Sequence, residues 1–125
     1  ATPNGKMLVV VNSANGTLYR VDAGTGVATA IAGVSVPAGD GIELAGRELY
    51  VVQGSPPFNR IAVVRLSPDL SSGAIVRTIG SPSFRFPSTA AILGGSLYAV
   101  NARFDVAPPP GLYPGQPFEI VRVDR

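Results

Sequence analysis

The sequence predicts an all-β fold, and three observations carry this prediction. Hydrophobic residues make up 46% of the 125 positions and charged residues only 14%, with 15 Gly and 12 Pro between short apolar runs. Such a composition is typical of many buried strands joined by tight turns. Apolar residues do not recur at helical spacing for more than two turns, and the nearest candidate, Ala28–Val36, is rich in β-branched residues that favour a strand. Finally, one unit of short apolar runs occurs three times.

The repeated unit is complete once, between Asp40 and Ile79. Its four predicted strands are Asp40–Gly46, Arg47–Gln53, Arg60–Ser67 and Gly73–Ile79. Turn-forming residues separate the strands, as in an antiparallel meander. A repeating four-stranded meander of about 40 residues is the sequence signature of a β-propeller blade. We therefore expect β-propeller blades.

Partial copies of the unit flank the complete one. The first copy has predicted strands at Lys6–Asn12, Thr17–Asp22 and Val27–Ile31, and Ala1–Gly5 aligns with the second half of an innermost strand. The last copy has predicted strands at Ser88–Gly94, Gly95–Arg103 and Phe118–Arg125. Residues 1–125 should thus form a single partial propeller with blades at about 1–36, 37–80 and 81–125. A propeller of about two and a half blades cannot close, and its exposed flanks invite association.

The second strand of each copy is apolar on both faces, as expected for a strand covered by neighbouring blades. These protected segments are Leu8–Val11, Leu49–Val52 and Leu97–Val100. Phe84 and Phe86, in the crossing before the last copy, should pack between blades.

The longest irregular insertion is Phe104–Pro117, which is rich in Pro and Gly. It is either a functional surface loop or an insertion without a function of its own.

Charge and residue types restrict the function classes. The net charge is +2 and the ten basic residues are spread singly, so we expect no nucleic-acid partner. No apolar run approaches the roughly 20 residues of a membrane span, so no membrane partner is expected. Ala1 does not begin a signal peptide; a mature secreted chain would look the same, and a secreted location is the expectation.

The chain has no His and no Cys. It therefore cannot form a disulfide, a thiolate or imidazole metal site, a Ser-His-Asp triad or a Cys-His pair by itself. Carboxylate and hydroxyl chemistry remains, with or without a hard cation.

Several polar residues occupy repeated or unusual positions. Asn12, Gln53 and Asn101 end the three second strands, where their amides either contact a ligand or bond to turn backbone. Glu43 interrupts an apolar inner strand and could face an axial channel, where it must meet water, a cation or an Arg. One basic residue recurs in each third strand, and we expect this row to face solvent and to pair with Asp22, Asp124 and their neighbours: Arg20, Arg65 and Arg122.

The segment Gly39-Asp40-Gly41-Ile42-Glu43-Leu44, followed by Arg47-Glu48-Leu49-Tyr50-Val51-Val52, resembles the blade-opening pattern of the gluconolactonase and senescence-marker-protein propellers. The resemblance implies the C-terminal half of a six-bladed ring, here two and a half to three blades. It further implies a divalent cation, often calcium, held by oxygen ligands at the starts of innermost strands. Asp40 matches one ligand position. Ser88 and Thr89 stand at the equivalent place in the last copy, where Thr89 is a ligand-facing candidate.

Two functions follow as hypotheses. The first is a non-catalytic β-propeller scaffold or binding module that completes its ring with another copy of itself, or with the N-terminal half of a longer precursor. The alternative is a divalent-metal-dependent lactonase-type hydrolase, active only in the complete ring. The first accords with the absence of the usual catalytic residue types and the sparse match to the metal ligands. On either hypothesis, the chain should not be a free monomer.

Overall fold

The computed structural model describes residues 1–104 and 118–125, which form ten β-strands and no helix. In chain order the strands are β1 (Met7–Asn12), β2 (Thr17–Asp22), β3 (Ala28–Ala30), β4 (Gly39–Ala45), β5 (Glu48–Gln53), β6 (Arg60–Leu66), β7 (Gly73–Ile79), β8 (Pro87–Leu93), β9 (Ser96–Asn101) and β10 (Glu119–Asp124). The prediction of an all-β chain is confirmed. Because the described residues include no helix, none of them forms a helical membrane span.

The strands form three antiparallel sheets, in which neighbours along the chain are neighbours in space. Sheet 1 contains β1, β2 and β3; sheet 2 contains β4 to β7; sheet 3 contains β8, β9 and β10. Each sheet is a meander because short turns join strands whose residues alternate between two faces. The ten predicted strands are all present, with ends that shift by a few residues.

The segment before β1 differs from the prediction. Ala1–Gly5 forms no strand; instead the Thr2 N–H donates to the Met7 carbonyl at 2.8 Å and the Gly5 N–H to the Thr2 carbonyl at 2.9 Å. These local bonds fold the segment back onto the start of β1, so its backbone groups are satisfied without a sheet partner. Residues 105–117, which hold most of the predicted irregular insertion, lie outside the described residues.

Each sheet has two faces, because successive side chains of a strand point to opposite sides. We call the face that carries Tyr50 and Val52 in sheet 2 the forward face, and the face that carries Leu49 and Val51 the rear face. The repeat alignment transfers these names to the other sheets. The forward face therefore carries Val9 and Val11 in sheet 1.

Two hydrophobic cores lie between successive sheets. In the first core, Val9 and Leu18 of sheet 1 pack with Leu49, Val51 and other residues of the rear face of sheet 2. In the second, the forward face of sheet 2 packs on the rear face of sheet 3, with Phe84 between them; the members are Tyr50, Val52, Ile61, Val63, Phe84, Leu97 and Ala99. The predicted packing role of Phe84 is confirmed. Forward-on-rear packing therefore occurs twice.

The two remaining faces are open. On the rear face of sheet 1, Leu8 and Val10 are 40% and 43% exposed. On the forward face of sheet 3, Leu93 and Ile120 are 71% and 68% exposed. Among the second strands of the three sheets, only β5 is buried on both faces, since sheet 2 alone has a neighbouring sheet on each side among the described residues. The predicted protection of β1 and β9 therefore holds on one face only.

Candidate functional site

Of the sequence-predicted site residues, Asn12 ends β1 and Glu43 lies in the second half of β4. The other four lie at the starts of β4 and β8: Asp40 and Thr89 within these strands, and Gln53 and Asn101 opposite their first residues. Both strands begin with a β-bulge: in β4 the pairing shifts between Gly39, opposite Gln53, and Ile42, opposite Val51. In β8 it shifts between Pro87, opposite Asn101, and Thr89. A bulge adds an unpaired residue and re-aims the side chains beside it, and bulges are frequent next to functional sites. Asp40 lies in the first bulge.

Strands β4 and β8 touch at Gly41 and Thr89. A Cβ atom placed on Gly41 would lie 2.5 Å from the Thr89 Cα atom and 2.5 Å from its Oγ1. Gly41 is therefore required for this close approach. As a result, Asp40 on β4 and Thr89 on β8 flank the same contact between strands.

Asp40 is exposed, and no hydrogen bond to its side chain occurs among the described residues. It lies inside β4 and does not cap the turn before the strand. Glu43 lies opposite Tyr50 on the forward face, half-buried, and none of the described residues contacts its carboxylate through a hydrogen bond or ion pair. These two carboxylates are the ones that β4 offers to a ligand or cation.

Two of the three repeated amides are fully buried and bonded to a crossing segment. Gln53 Nε2 donates to the Pro37 carbonyl at 2.7 Å, and its Oε1 accepts from Arg60 Nε at 2.9 Å. Asn101 Nδ2 donates to the Ser83 carbonyl at 2.9 Å, and its Oδ1 accepts from the Arg85 N–H at 2.8 Å. Each amide thus ties the end of a second strand to the crossing that leads into its own sheet.

The third amide differs, because sheet 1 has no such crossing among the described residues. Asn12 is exposed, and its Oδ1 accepts the Ala14 N–H at 3.0 Å within the adjoining turn. Of the three amides, Asn12 is therefore the one whose donor group is left for solvent or a ligand.

Sequence reasoning missed the residue that follows each second strand. Ser13 Oγ donates to the Gly39 carbonyl, the first residue of β4 in the next sheet. At the equivalent position, Gly54 lies so close to the Pro87 carbonyl, at the start of β8, that no side chain fits. These contacts join successive sheets at the same point of the repeat. The repeat alignment puts Ser13 and Gly54 at the same position, directly after a second strand. This shared position of two small residues could have predicted the close contact between sheets.

The partners predicted for the repeated arginines are wrong. Arg65 Nη2 pairs with Glu48 Oε1 at 2.9 Å, Arg122 Nε donates to Ser96 Oγ at 3.0 Å, and Arg20 Nη1 reaches the Asp69 carbonyl of sheet 2 at 2.7 Å. Asp22 instead accepts from its own turn, at Gly24 and Thr25. Antiparallel pairing sets Arg65 directly opposite Glu48 on the neighbouring strand. A carboxylate on the facing strand is therefore closer to the guanidinium than one further along the same strand.

Two carboxylates outside the site are held in their charged form. Hydroxyl donation by Ser67, together with Ser71, lowers the pKa of Asp69 to about 2. The Tyr50 hydroxyl and Arg65 lower the pKa of Glu48, while burial raises the pKa of Tyr50.

An open cleft of about 400 Å³ lies between sheets 1 and 2, and its lining includes Asp69, Met7, Leu44 and Arg47. None of the sequence-predicted site residues lines this cleft.

The donor set at the bulges does not fit a complete cation site. Hard cations such as Ca²⁺ take six to eight oxygen ligands, several of them carboxylates. Within the described residues, no three Asp or Glu side chains come together. Asp40 supplies one carboxylate, Ser88 occupies the equivalent bulge, and the amides of Gln53 and Asn101 are occupied. Further ligands would have to come from outside this part of the chain.

The residues at the starts of β4 and β8 therefore form mainly a contact region between sheets 2 and 3, and Asp40 is an exposed carboxylate at its edge. No protein-family model matches the chain, and no curated protein is similar enough to match it.

Proposed function

We propose that the chain is a non-catalytic scaffold or binding module made of β-propeller blades, and that it completes its ring with another chain or segment. The observation that carries the proposal is the repeated forward-on-rear packing, which leaves an open apolar face at each end of the series. Soluble proteins seldom leave such faces uncovered without a binding role. The resemblance to six-bladed propellers supports a ring of six.

A hollow beside β4 supports the same proposal. It has a volume of about 190 Å³ and is lined by Val9 of sheet 1 and by Ile42, Leu44 and Leu49 of sheet 2, among others. It adjoins β4, the innermost strand of sheet 2, where sheet 1 begins with its second strand. An inner strand supplied by a neighbour would fill this space.

The non-catalytic part of the proposal rests on how the polar groups are used. Gln53 and Asn101 have their amide groups bonded within the fold, and a group bonded in this way offers little to a substrate. The sequence contains no His or Cys to serve as general base or nucleophile.

A tandem protein, with two copies of the chain joined by a flexible linker, tests the proposal without assuming where the covering sheets come from. If the open faces belong against further sheets, the tandem protein should be compact and should melt at least about 10 °C above the single chain measured at high dilution. It should also bind less of an apolar dye per copy.

The matched control is a tandem protein with Val10→Glu in both copies, which places a charge on every rear face that could pack against the other copy. It should lose the gain in melting temperature. A tandem protein whose two copies fold independently, with no gain in melting temperature, would contradict the proposal.

A second candidate is the metal-dependent lactonase-type hydrolase, and the exposed Asp40 carboxylate in the β4 bulge favours it. Asp40 would be one ligand, with the others contributed by the rest of the ring. Calorimetric titration of the tandem protein with Ca²⁺ tests this function. Binding that disappears in Asp40→Asn but persists in Asp69→Asn would support it, and the absence of binding heat would count against it.

A further inference from the structure

We propose that the open cleft between sheets 1 and 2 binds a small zwitterion with an apolar body, of the class of apolar amino acids and their dipeptides. Arg47 would hold the carboxylate of this ligand, and Asp69 would hold its ammonium group. Because the cleft lies between two sheets of the same chain, the inference does not depend on what covers the outer faces of the series.

The cleft has the size and lining of a site for a small ligand. Its volume of about 400 Å³ falls within the range of about 300 to 1,000 Å³ that is typical of such sites. The β4–β5 turn, the β6–β7 turn and the segment before β1 form its walls. The apolar part of the lining includes Met7, Leu44 and Leu70, and Leu70 is only 9% exposed. An apolar surface with a few polar groups at its edge is the usual composition of a ligand site.

Arg47 is held in place but keeps most of its donor groups. Its Nε donates to the Leu66 carbonyl at 2.9 Å, and its own carbonyl accepts from the Leu66 N–H at 2.9 Å. Among the described residues, neither of its Nη groups has a hydrogen-bond partner and no carboxylate forms a salt bridge with it. A fixed guanidinium with two free N–H-bearing nitrogens fits the two oxygens of a carboxylate.

Asp69 supplies the opposite charge. Three donors bind its Oδ1: the Ser67 hydroxyl at 2.7 Å, the Ser71 hydroxyl at 2.9 Å and the Ser71 N–H at 3.2 Å. These bonds fix the carboxylate and keep it charged, whereas its Oδ2 accepts no hydrogen bond from the part of the chain that the structure describes. A charged oxygen left in this way can accept an N–H of an ammonium group.

The turn that carries Asp69 has a strained backbone. Leu70 has a φ of 60°, in the left-handed region that a bulky side chain seldom adopts. Two bonds maintain this conformation: the Leu70 N–H donates to the Ser67 carbonyl at 3.0 Å, and Arg20 Nη1 donates to the Asp69 carbonyl at 2.7 Å. Strain that surrounding bonds maintain is frequent at ligand sites. Here it fixes a charged group at the wall of an apolar cleft.

The charges at the cleft select the class of ligand. The charged residues in the described lining are one cation, Arg47, and one anion, Asp69. A simple carboxylic acid would meet a like charge at Asp69, and a simple amine would meet one at Arg47, so a ligand that carries both charges fits best. Polar side chains of the opposite wall are bonded to each other, since the Thr2 hydroxyl donates to Asn4 Oδ1 at 2.8 Å.

The experiment is a titration of the 125-residue chain with leucine and, separately, with leucylleucine, followed by NMR of the backbone N–H groups. Signals from residues that line the cleft should shift, and those from the starts of β4 and β8 should not. The tighter of the two ligands shows whether the site takes a single amino acid or a dipeptide. Its N-acetylated form and its C-terminal amide each lack one charge, and each should bind about tenfold more weakly.

Variants assign the two charges to their partners. Arg47→Gln should bind about tenfold more weakly and should no longer prefer the free carboxylate to the amide. Asp69→Asn should no longer prefer the free ammonium to the N-acetylated form. Arg85→Gln is the matched control, because Arg85 is also exposed and also donates to backbone carbonyls, but lies in the crossing to sheet 3. This variant should bind as the wild type does.

Three results would overturn the inference. The absence of shifts at tens of millimolar of either ligand would remove the site. Equal affinity for the ligand and both of its blocked forms would remove the zwitterion as its class; this comparison uses the wild type, so it stands even if Asp69→Asn does not fold. A loss of binding in Arg85→Gln as large as in Arg47→Gln would place the site elsewhere. The tandem protein tests the proposed function separately, since it reports only on the outer faces.

Discussion

At the residue scale, the polar groups of the repeat serve mainly to bind one segment of chain to another. Gln53 and Asn101 are fully buried, yet both atoms of each amide group are bonded. Burial without partners would be costly, so these amides are tolerated because the crossing segments present backbone groups to them. They hold the crossings against the second strands and so fix where each new sheet begins.

Removing one of these amides should therefore weaken the fold measurably. We expect Gln53→Leu to lower the free energy of unfolding by about 1–3 kcal/mol, because the Pro37 carbonyl and Arg60 lose their buried partner. Asn12→Leu, at the equivalent but exposed position, should change it by less than about 0.5 kcal/mol. Urea denaturation of both variants provides the comparison, and equal losses would contradict the role assigned to the buried amide.

The lowered pKa of Asp69 predicts that the stability of the folded state depends on pH in the acid range. Its pKa is lowered from 3.8 to about 2 in the folded protein, chiefly by the Ser67 hydroxyl. A lowered carboxyl pKa stabilises the folded state above the unfolded pKa, and this contribution is lost as pH falls from about 4 to about 2. Ser67→Ala should raise the Asp69 pKa towards 3.8, as measured by NMR titration of the carboxyl carbon. An unchanged pKa would show that another donor dominates.

At the element scale, the second strands differ in burial although their sequences are alike. β5 is covered on both faces, whereas β1 and β9 are each covered on one. The cause is position in the series of sheets, since Leu8, Leu49 and Leu97 occupy the same place in the repeat but differ in exposure. Burial in this fold therefore follows from the neighbouring sheets more than from the residue itself.

Truncating this leucine in different sheets should give a graded loss of stability. Leu49→Ala removes a fully buried side chain and should cost about 2–5 kcal/mol. Leu8→Ala should cost about 1 kcal/mol or less in dilute protein, because its side chain is already 40% exposed. Thermal melts of both variants at high dilution would measure the two losses. Equal costs at high dilution would contradict the open face assigned to sheet 1.

At the scale of the whole molecule, stability should be greatest in the middle of the chain and decrease towards both outer sheets. Sheet 2 contributes residues to both cores, whereas sheets 1 and 3 each contribute to one. Free energies of local opening track the density of buried contacts. The open outer faces are therefore the regions where the isolated chain is least protected.

Hydrogen exchange tests this gradient. In dilute protein, we expect the amides of β5 and β6 to exchange most slowly, and those of β3 and β10 most rapidly. Uniform protection across all three sheets would disagree with this account.

The all-β class, the ten strands, their antiparallel order and the two crossings could all be predicted from the sequence. These features are local: they follow from two-residue alternation, from turn residues and from the repeat of one unit. The repeat alignment also matches Asp40 with Ser88 and Gln53 with Asn101, and these residues occupy equivalent positions of sheets 2 and 3.

The contacts that these residues make could not be predicted in the same way. The contact of Gly41 with Thr89 and the bonds of Gln53 to Pro37, of Asn101 to Arg85 and of Arg20 to Asp69 join residues 16 to 49 positions apart. Their geometry is set by the packing of one sheet on the next, which alternation and turn chemistry do not specify. For the same physical reason, the open faces at the two ends of the series emerge only when all three sheets are assembled.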